Sequence, residues 1–220
     1  MTGDGRFYFL EINARLQVEH PVTEQTCGVD LVEEQLRIAA GNRLSMTQEE
    51  IMQRGHAIEC RIVAEDPASG WRPCPGRIEC VLFPRGPGIR IDIGIGDGSA
   101  VSPFYDPLLA KLVCWGKDRL QAANRALWAL ERTCIAPVET NTGILQEVLR
   151  HDDFLNGSFD TAWLERFSEG WFPVRLAVER LVAGWLLGEL AATRQSATPA
   201  SEEACGDPWH TLSGWRLERD

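Results

Sequence analysis

At 220 residues, 44% of them hydrophobic and 25% charged, the chain can bury a sizeable core and has the composition of one or two ordinary globular domains. A formal net charge of −10 argues against a nucleic-acid surface, which needs an excess of Lys and Arg, yet leaves room for a small anionic substrate held by local arginines. Seven cysteines, an odd number without a Cys-x-x-Cys pair, read neither as a disulfide framework nor as a zinc site.

The free thiols point to a reducing compartment, the cytoplasm or an organelle matrix of similar redox state, with Cys27, Cys60, Cys80 and Cys114 as small hydrophobes. The start of the chain has no basic stretch followed by an apolar one, so no secretory signal is expected. The most apolar helix-like run, near 181–192, carries Glu189 and is too short to span a bilayer.

In chain order, Asp4-Gly5 is a hairpin signal with only three residues before it, so the chain is expected to begin inside a fold. Residues 7–12 read as a strand covered on both faces, because Phe7, Tyr8, Phe9, Leu10 and Ile12 make an almost wholly apolar run. Glu11 and Asn13, at i and i+2, leave one face of it; a carboxylate with an amide oxygen suits a hard cation such as Mg²⁺. Arg15, Gln17 and Glu19 continue the polar spacing until His20-Pro21 breaks the strand. On pattern alone, an edge strand with a solvated polar face fits equally well.

Asp30 is the expected N-cap of a helix ending at Gly41, with Leu31, Val32, Leu36, Ile38 and Ala39 as its apolar pattern and Glu33, Glu34 and Arg37 solvated. A helical turn over 48–52 and a domain boundary near Gly55 follow. Residues 56–64 alternate as a strand, placing Ile58, Cys60 and Ile62 in the core and Ala57, Glu59, Arg61 and Val63 on the other face. Turns are expected at 66–70 and 73–76, then a hairpin of 77–83 with 89–93. Residues 94–102 are glycine-rich but lack the order and the following helix of a phosphate loop. A helix turning into a strand is expected over 108–115.

Helices are predicted over 118–132, with Leu120, Ala123, Leu127 and Leu130 at helical spacing, and over 141–149, with Ile144, Leu145 and Val148 inward. Residues 154–167 close the globular part, a helix follows over 175–192, and 196–207 read as a disordered linker. Trp163, Trp171 and Trp185 read as packing or interface indoles.

The stretch Glu11-Ile-Asn-Ala-Arg-Leu-Gln-Val-Glu-His-Pro-Val-Thr-Glu24 resembles the signature of biotin carboxylases, the biotin-dependent ATP-grasp ligases, and the resemblance continues in blocks at 28–41, 55–67 and 103–112. It implies an α+β fold: the C-terminal portion of an ATP-grasp domain over 1–53, then a biotin carboxylase C-terminal domain, an antiparallel sheet with packed helices, over 54–167. A helical extension (168–194), a linker (195–207) and the start of a further domain (208–220) complete this division.

The implied reaction is ATP- and bicarbonate-dependent carboxylation of biotin on a carrier protein, with bicarbonate activated as carboxyphosphate. Residue by residue, Glu11 and Asn13 match ligands of a Mg²⁺ (or Mn²⁺) that bridges phosphates. Arg15 matches the planar grip on bicarbonate, and Gln17 with the Val18 amide completes that pocket. Glu19 matches the general base. Arg61 matches the arginine that faces the biotin oxygen in an oxyanion role, although a salt bridge with Glu59 or Glu65 is its simpler reading alone. Tyr105 and Asp106 would support Arg61. His20 reads as a structural hydrogen-bonding residue and Lys111 as a surface or neighbouring charge.

Implied partners are a biotin carboxyl carrier domain, a carboxyltransferase β subunit, and an N-terminal half bearing the glycine-rich lid and ATP-holding lysines, with no nucleic acid and no membrane. The Trp209-His-Thr-Leu-Ser-Gly-Trp-Arg216 tail resembles the region after the carboxylase in acyl-CoA carboxylase α subunits of the methylcrotonyl-, geranyl- or propionyl-CoA kind. The chain alone is therefore expected to be inactive. Pro87 replaces an aromatic residue at the family's dimer contact. Rival readings are a truncated, non-catalytic assembly module and another ATP-grasp ligase; the Gln17-Val-Glu-His-Pro21 block and Arg61 count against the latter.

Overall fold

The structure, a computed structural model, describes residue 6 and residues 8–171. The turn at Asp4-Gly5, the helix over 175–192, the linker, the Trp209 tail and Trp185 lie outside the described residues.

The chain runs α1 (His20–Cys27), α2 (Leu31–Ala39), β1 (His56–Val63), β2 (Glu65–Asp66), β3 (Arg72–Pro73), β4 (Gly76–Arg77), β5 (Cys80–Leu82), β6 (Ile89–Ile93), β7 (Ala100–Val101) and β8 (Leu108–Gly116). There follow α3 (Arg119–Leu130), β9 (Cys134–Ala136), α4 (Thr142–Arg150), α5 (Asp152–Asn156) and α6 (Trp163–Ser168), with short 3-10 turns at Gln48–Glu50 and Pro67–Ser69.

The antiparallel sheet β1-β8-β6 has β8 at its centre, and its register makes two unlike faces. On one face the cross-strand rows are Ile58-Cys114-Ile89, Cys60-Leu112-Ile91 and Ile62-Ala110-Ile93. Helix α3 covers that face with Ala122, Ala123, Ala126, Ala129 and Leu130. Alanines let the helix come close, and Gly116 allows the turn into it: a Cβ there would stand 2.9 Å from the Gln121 Cβ. Ile62 and Leu112 are wholly buried here, each contributing about 1.5–3 kcal/mol relative to exposure. On the other face the rows are Arg61-Lys111-Asp92 and Glu59-Val113-Arg90. One sheet is therefore oil on one side and charge on the other.

Several expectations hold. Ile58, Cys60 and Ile62 are the buried set of β1. Asp30 caps α2, accepting from the Glu33 N–H at 2.8 Å, and Asp118 caps α3, accepting from the Gln121 N–H at 2.8 Å. Ile144 is buried along α4, with Leu145 and Val148 half-buried, and Trp163 packs between His151 and Phe167. Cys60 and Cys114 are buried, Cys27 and Cys80 half-buried, and the six described cysteines are free. Burial pushes the Cys60 and Cys114 thiols up to about 12, which keeps them inert.

Others are corrected. Residues 8–12 form no strand: Leu10 is 89% and Ile12 78% exposed, and nothing among the described residues pairs with their backbone. An apolar run cannot make a ladder without a neighbour to receive its hydrogen bonds. The 77–83 and 89–93 runs are no hairpin. Instead β4 pairs with β7, β5 with β9, and β6 with β8. Chain 77–83 changes partners midway: the Ile78 N–H goes to Ser99 O and the Glu79 N–H to Ala136 O, both at 2.8 Å, while Ile78 seals a second core with Ala64, Leu109 and Val138.

Residues 108–116 are strand throughout, the central one of the sheet. On α2 Glu33 and Arg37 are exposed as expected, but Glu34 and the apolar pattern depart from expectation. Glu34 is buried, accepting from Ser45 N–H at 2.9 Å and Ser45 Oγ at 2.6 Å, while Val32, Leu36 and Ile38 are exposed. Two hydrogen-bond donors offset the burial of a carboxylate there. Leu120, in the first turn of α3, is exposed.

Candidate active site

The site is built where α1 lies on the charged face. His20-Pro21 ends the extended stretch and starts the helix, as the sequence requires: Pro21 sits in the first turn, where no partner for its missing N–H is needed. Glu19 takes the N-cap position, its carbonyl accepting from the Val22 N–H at 3.0 Å. His20 Nδ1 lies 2.8 Å from Gln17 O and its N–H donates to the same oxygen at 3.3 Å, so His20 fixes this turn, the structural role expected of it.

From that turn Glu19 reaches Arg61 on β1, 42 residues away, in a direct ion pair with both side chains half-exposed. The cation's partner is thus Glu19, neither Glu59 nor Glu65. Next to it Lys111 Nζ donates to Val18 O at 3.2 Å and lies 3.2 Å from Asp92 Oδ2. Its side chain is only 14% exposed, so it is a half-buried support of the turn, the neighbouring charge of the two readings. Arg90 grips Asp92 with two nitrogens, Nε at 2.9 Å and Nη2 at 3.1 Å, and donates Nη1 to Glu24 Oε2 at 2.6 Å. Glu24 Oε1 in turn accepts from the Leu31 N–H at 2.8 Å, linking the sheet to both helices. Burial opposes ionisation of Asp92, but the hydrogen bonds and charges of Arg90 and Lys111 hold its carboxyl below the usual range.

Glu59 differs from all of these. Both its carboxyl oxygens are buried without a hydrogen-bond partner among the described residues. Burial pushes its carboxyl up; Lys111 pulls it down, Glu19 pushes it up, and Arg61 and His20 pull it down.

The structure pairs Glu19 with Arg61, while the Val18 carbonyl accepts from Lys111. Glu11, Asn13, Arg15 and Gln17 lie exposed on the preceding irregular stretch. Arg15 donates its N–H to Asn13 O at 2.8 Å and Nη1 to Leu16 O at 3.3 Å. No hydrogen bond among the described residues joins the side chains of Glu11, Asn13 or Arg15 to Glu19 or Arg61. Tyr105 is 82% exposed and Asp106 accepts from the Leu108 N–H; no hydrogen bond among the described residues joins either to Arg61.

No three His, Cys, Asp or Glu side chains among the described residues gather as a metal site. Glu11 and Asn13 supply two oxygens of the type Mg²⁺ takes, a donor set that fits an ion shared with phosphate and water rather than one caged by protein. Glu24, Arg90 and Asp92 were missed as site residues. The one signal available was Arg90 and Asp92 at i and i+2 on a strand.

Two family models match: the biotin carboxylase C-terminal domain over residues 59–166, and the ATP binding domain of the carbamoyl-phosphate synthase L chain over residues 2–47. The biotin carboxylase of Nostoc sp. is 48% identical over 165 residues, which are 75% of this chain and 37% of that protein. Biotin carboxylase 1 of Bacillus subtilis is 43% identical over 162 residues, 74% of this chain and 36% of its own length. The bicarbonate-bound biotin carboxylase domain of thermophilic 2-oxoglutarate carboxylase superposes with a TM-score of 0.73 at 45% identity, covering 74% of this chain and 37% of that one. The biotin carboxylase subunit of pyruvate carboxylase gives 0.74 at 41%, covering 76% and 37%.

The fold and these neighbours define an α+β chain of the ATP-grasp kind. More narrowly, residues 59–166 match the biotin carboxylase C-terminal domain, and the chain is a homologue of biotin carboxylases over three quarters of its length. It spans a little over a third of the curated relatives it matches.

Proposed function

We propose that the chain supplies the bicarbonate- and biotin-facing side of a biotin carboxylase that uses ATP and Mg²⁺ (or Mn²⁺) to carboxylate biotin on a carrier domain. The observation that supports this best is the meeting of Glu19 and Arg61: an acid from the helix-opening turn and a guanidinium from β1, on a sheet face otherwise given to charge. Glu19 takes the bicarbonate proton. Arg61 turns to the ureido oxygen of biotin, where preset N–H donors stabilise charge as the ring nitrogen is deprotonated. Until substrate enters, each neutralises the other, so neither stands as an unpaired charge.

Arg15 offers bicarbonate a planar fork, with Gln17 and the Val18 amide beside it. Glu11 and Asn13 would hold the metal; when bound, that ion would neutralise phosphate charge. The ATP-binding match reaches only residues 2–47, and residues 94–102 lack the order of a phosphate loop. The chain spans a little over a third of the curated relatives it matches, which supports the reading that by itself it releases no biotin-dependent ADP. The Trp209–216 tail favours an acyl-CoA carboxylase, hence a further partner in the carboxyltransferase β subunit, and the free thiols favour the cytoplasm.

The experiment is a graft. Residues 8–171 replace the aligned stretch of the Nostoc enzyme, and bicarbonate- and biotin-dependent ADP release is measured with and without Glu19→Gln. Loss of a general base lowers the rate by about 10²–10⁴; a folded graft indifferent to Glu19→Gln would refute the role. The carbamoyl-phosphate synthase match favours a second reading, another ATP-grasp ligase. A graft whose ADP release ignores biotin would support it.

A further inference from the structure

Glu59 is out of place for a structural residue. It stands on the charged sheet face, with Arg61 two residues along β1 and Arg90 in the same cross-strand row beyond Val113, both its oxygens buried and without a hydrogen-bond partner among the described residues. The cations of that face, Arg61, Lys111 and Arg90, already have carboxylates: Glu19 on Arg61, Asp92 on Lys111 and Arg90, Glu24 on Arg90. His20, from α1, has Nε2 3.9 Å from Glu24. Three cations thus meet three paired carboxylates, and with Glu59 neutral the layer is balanced. An ionised Glu59 would be a fourth anion, buried and unpaired, an arrangement folded proteins avoid. The upward push of burial on its carboxyl agrees with a neutral resting state.

The balance breaks at one step. On the function proposed above, on which this inference rests, Glu19 releases Arg61 and takes a proton, leaving three cations against two carboxylates. We propose that Glu59 is a positioning residue for this site: the reserve counter-anion of Arg61 and Lys111, which ionises and holds their charge in place when Glu19 lets Arg61 go. Glu19 gains one proton and Glu59 gives one up to solvent, so the net charge of the face does not change. Arg61 then stays anchored toward the sheet with donors free for substrate, instead of swinging into water.

The test uses the 220-residue chain without substrate. The carboxyl ¹³C resonance of Glu59, assigned by its loss in Glu59→Gln, is titrated in the wild type, in Glu19→Gln (which mimics protonated Glu19), in Arg61→Met and in the double variant. Residues 19 and 61 are half-exposed, so the fold is kept, as circular dichroism checks. The Glu59 acid dissociation constant should rise at least about tenfold on Glu19→Gln, and most of that rise should vanish in the Arg61→Met background. An equal rise with and without Arg61 would mean simple relief of repulsion from Glu19 and would overturn the proposal, as would no rise. Since bicarbonate, biotin and ATP are absent, failure of the carboxylase reading shows separately, as a graft that ignores biotin while the Glu59 titration behaves as expected.

Discussion

Two glutamates of this chain carry opposite signs. The side-chain and backbone hydrogen bonds of Ser45 hold the Glu34 carboxyl below its usual range against burial, with Arg37 assisting. Its folded value is depressed, so its stabilising contribution is present above the ordinary carboxylate range and is lost as pH falls through that folded value. Ser45→Ala should therefore lower the melting temperature at pH 7 and cost progressively less as the solution is acidified. Glu59, raised mainly by burial, works in reverse: the folded state keeps its proton longer, so stability is lost as pH rises from the ordinary carboxylate range toward the folded value. Glu59→Gln should gain melting temperature relative to wild type across that rise; a constant difference would show that Glu59 does not titrate as described. Neither sign could be read in advance. Glu34 and Glu59 look alike in sequence, and what separates them is that Ser45 donates to one, while the oxygens of the other find no hydrogen-bond donor among the described residues.

At the scale of elements, caps and buried alternation were legible and strand partners were not. Asp30, Asp118, Ile58, Cys60 and Ile62 do what local chemistry asks of them. The run 77–83 looks like one strand because its alternation is unbroken, yet its hydrogen bonds go to residues 99 and 136, which no local pattern names. Gly55 stands immediately ahead of β1, and a glycine there has a local reason. Gly55 has φ +68°, and a Cβ there would fall 2.7 Å from the Trp115 ring. Gly157 has φ +72° with open space around it. Gly157→Ala should cost about 1–3 kcal/mol from backbone strain alone, and Gly55→Ala more, since ring and backbone must also move. Urea unfolding with an unchanged slope measures both, and equal costs would mean the Trp115 contact gives way freely.

For the whole molecule, the organising fact is a sheet with one apolar and one charged face, the first serving the core and the second carrying α1 and the candidate site. On the charged face Arg90 ties the sheet to α1 by binding Asp92 on its own strand and Glu24 on the helix. Arg90→Met should leave the α3 side intact while speeding amide exchange in α1; uniform protection loss across β8 would instead make Arg90 a general stability residue. The motif around Glu19 named the family because its residues are contiguous, whereas the pairing of Glu19 with Arg61 and the support from Lys111 depend on register across three strands. The most direct measurement is biotin-dependent ADP release by the graft carrying Arg61→Lys, set beside its bicarbonate-dependent ATP cleavage without biotin. A carboxylation site on this face predicts that the first falls by about 10²–10³ while the second persists. An undiminished biotin-dependent rate would contradict it.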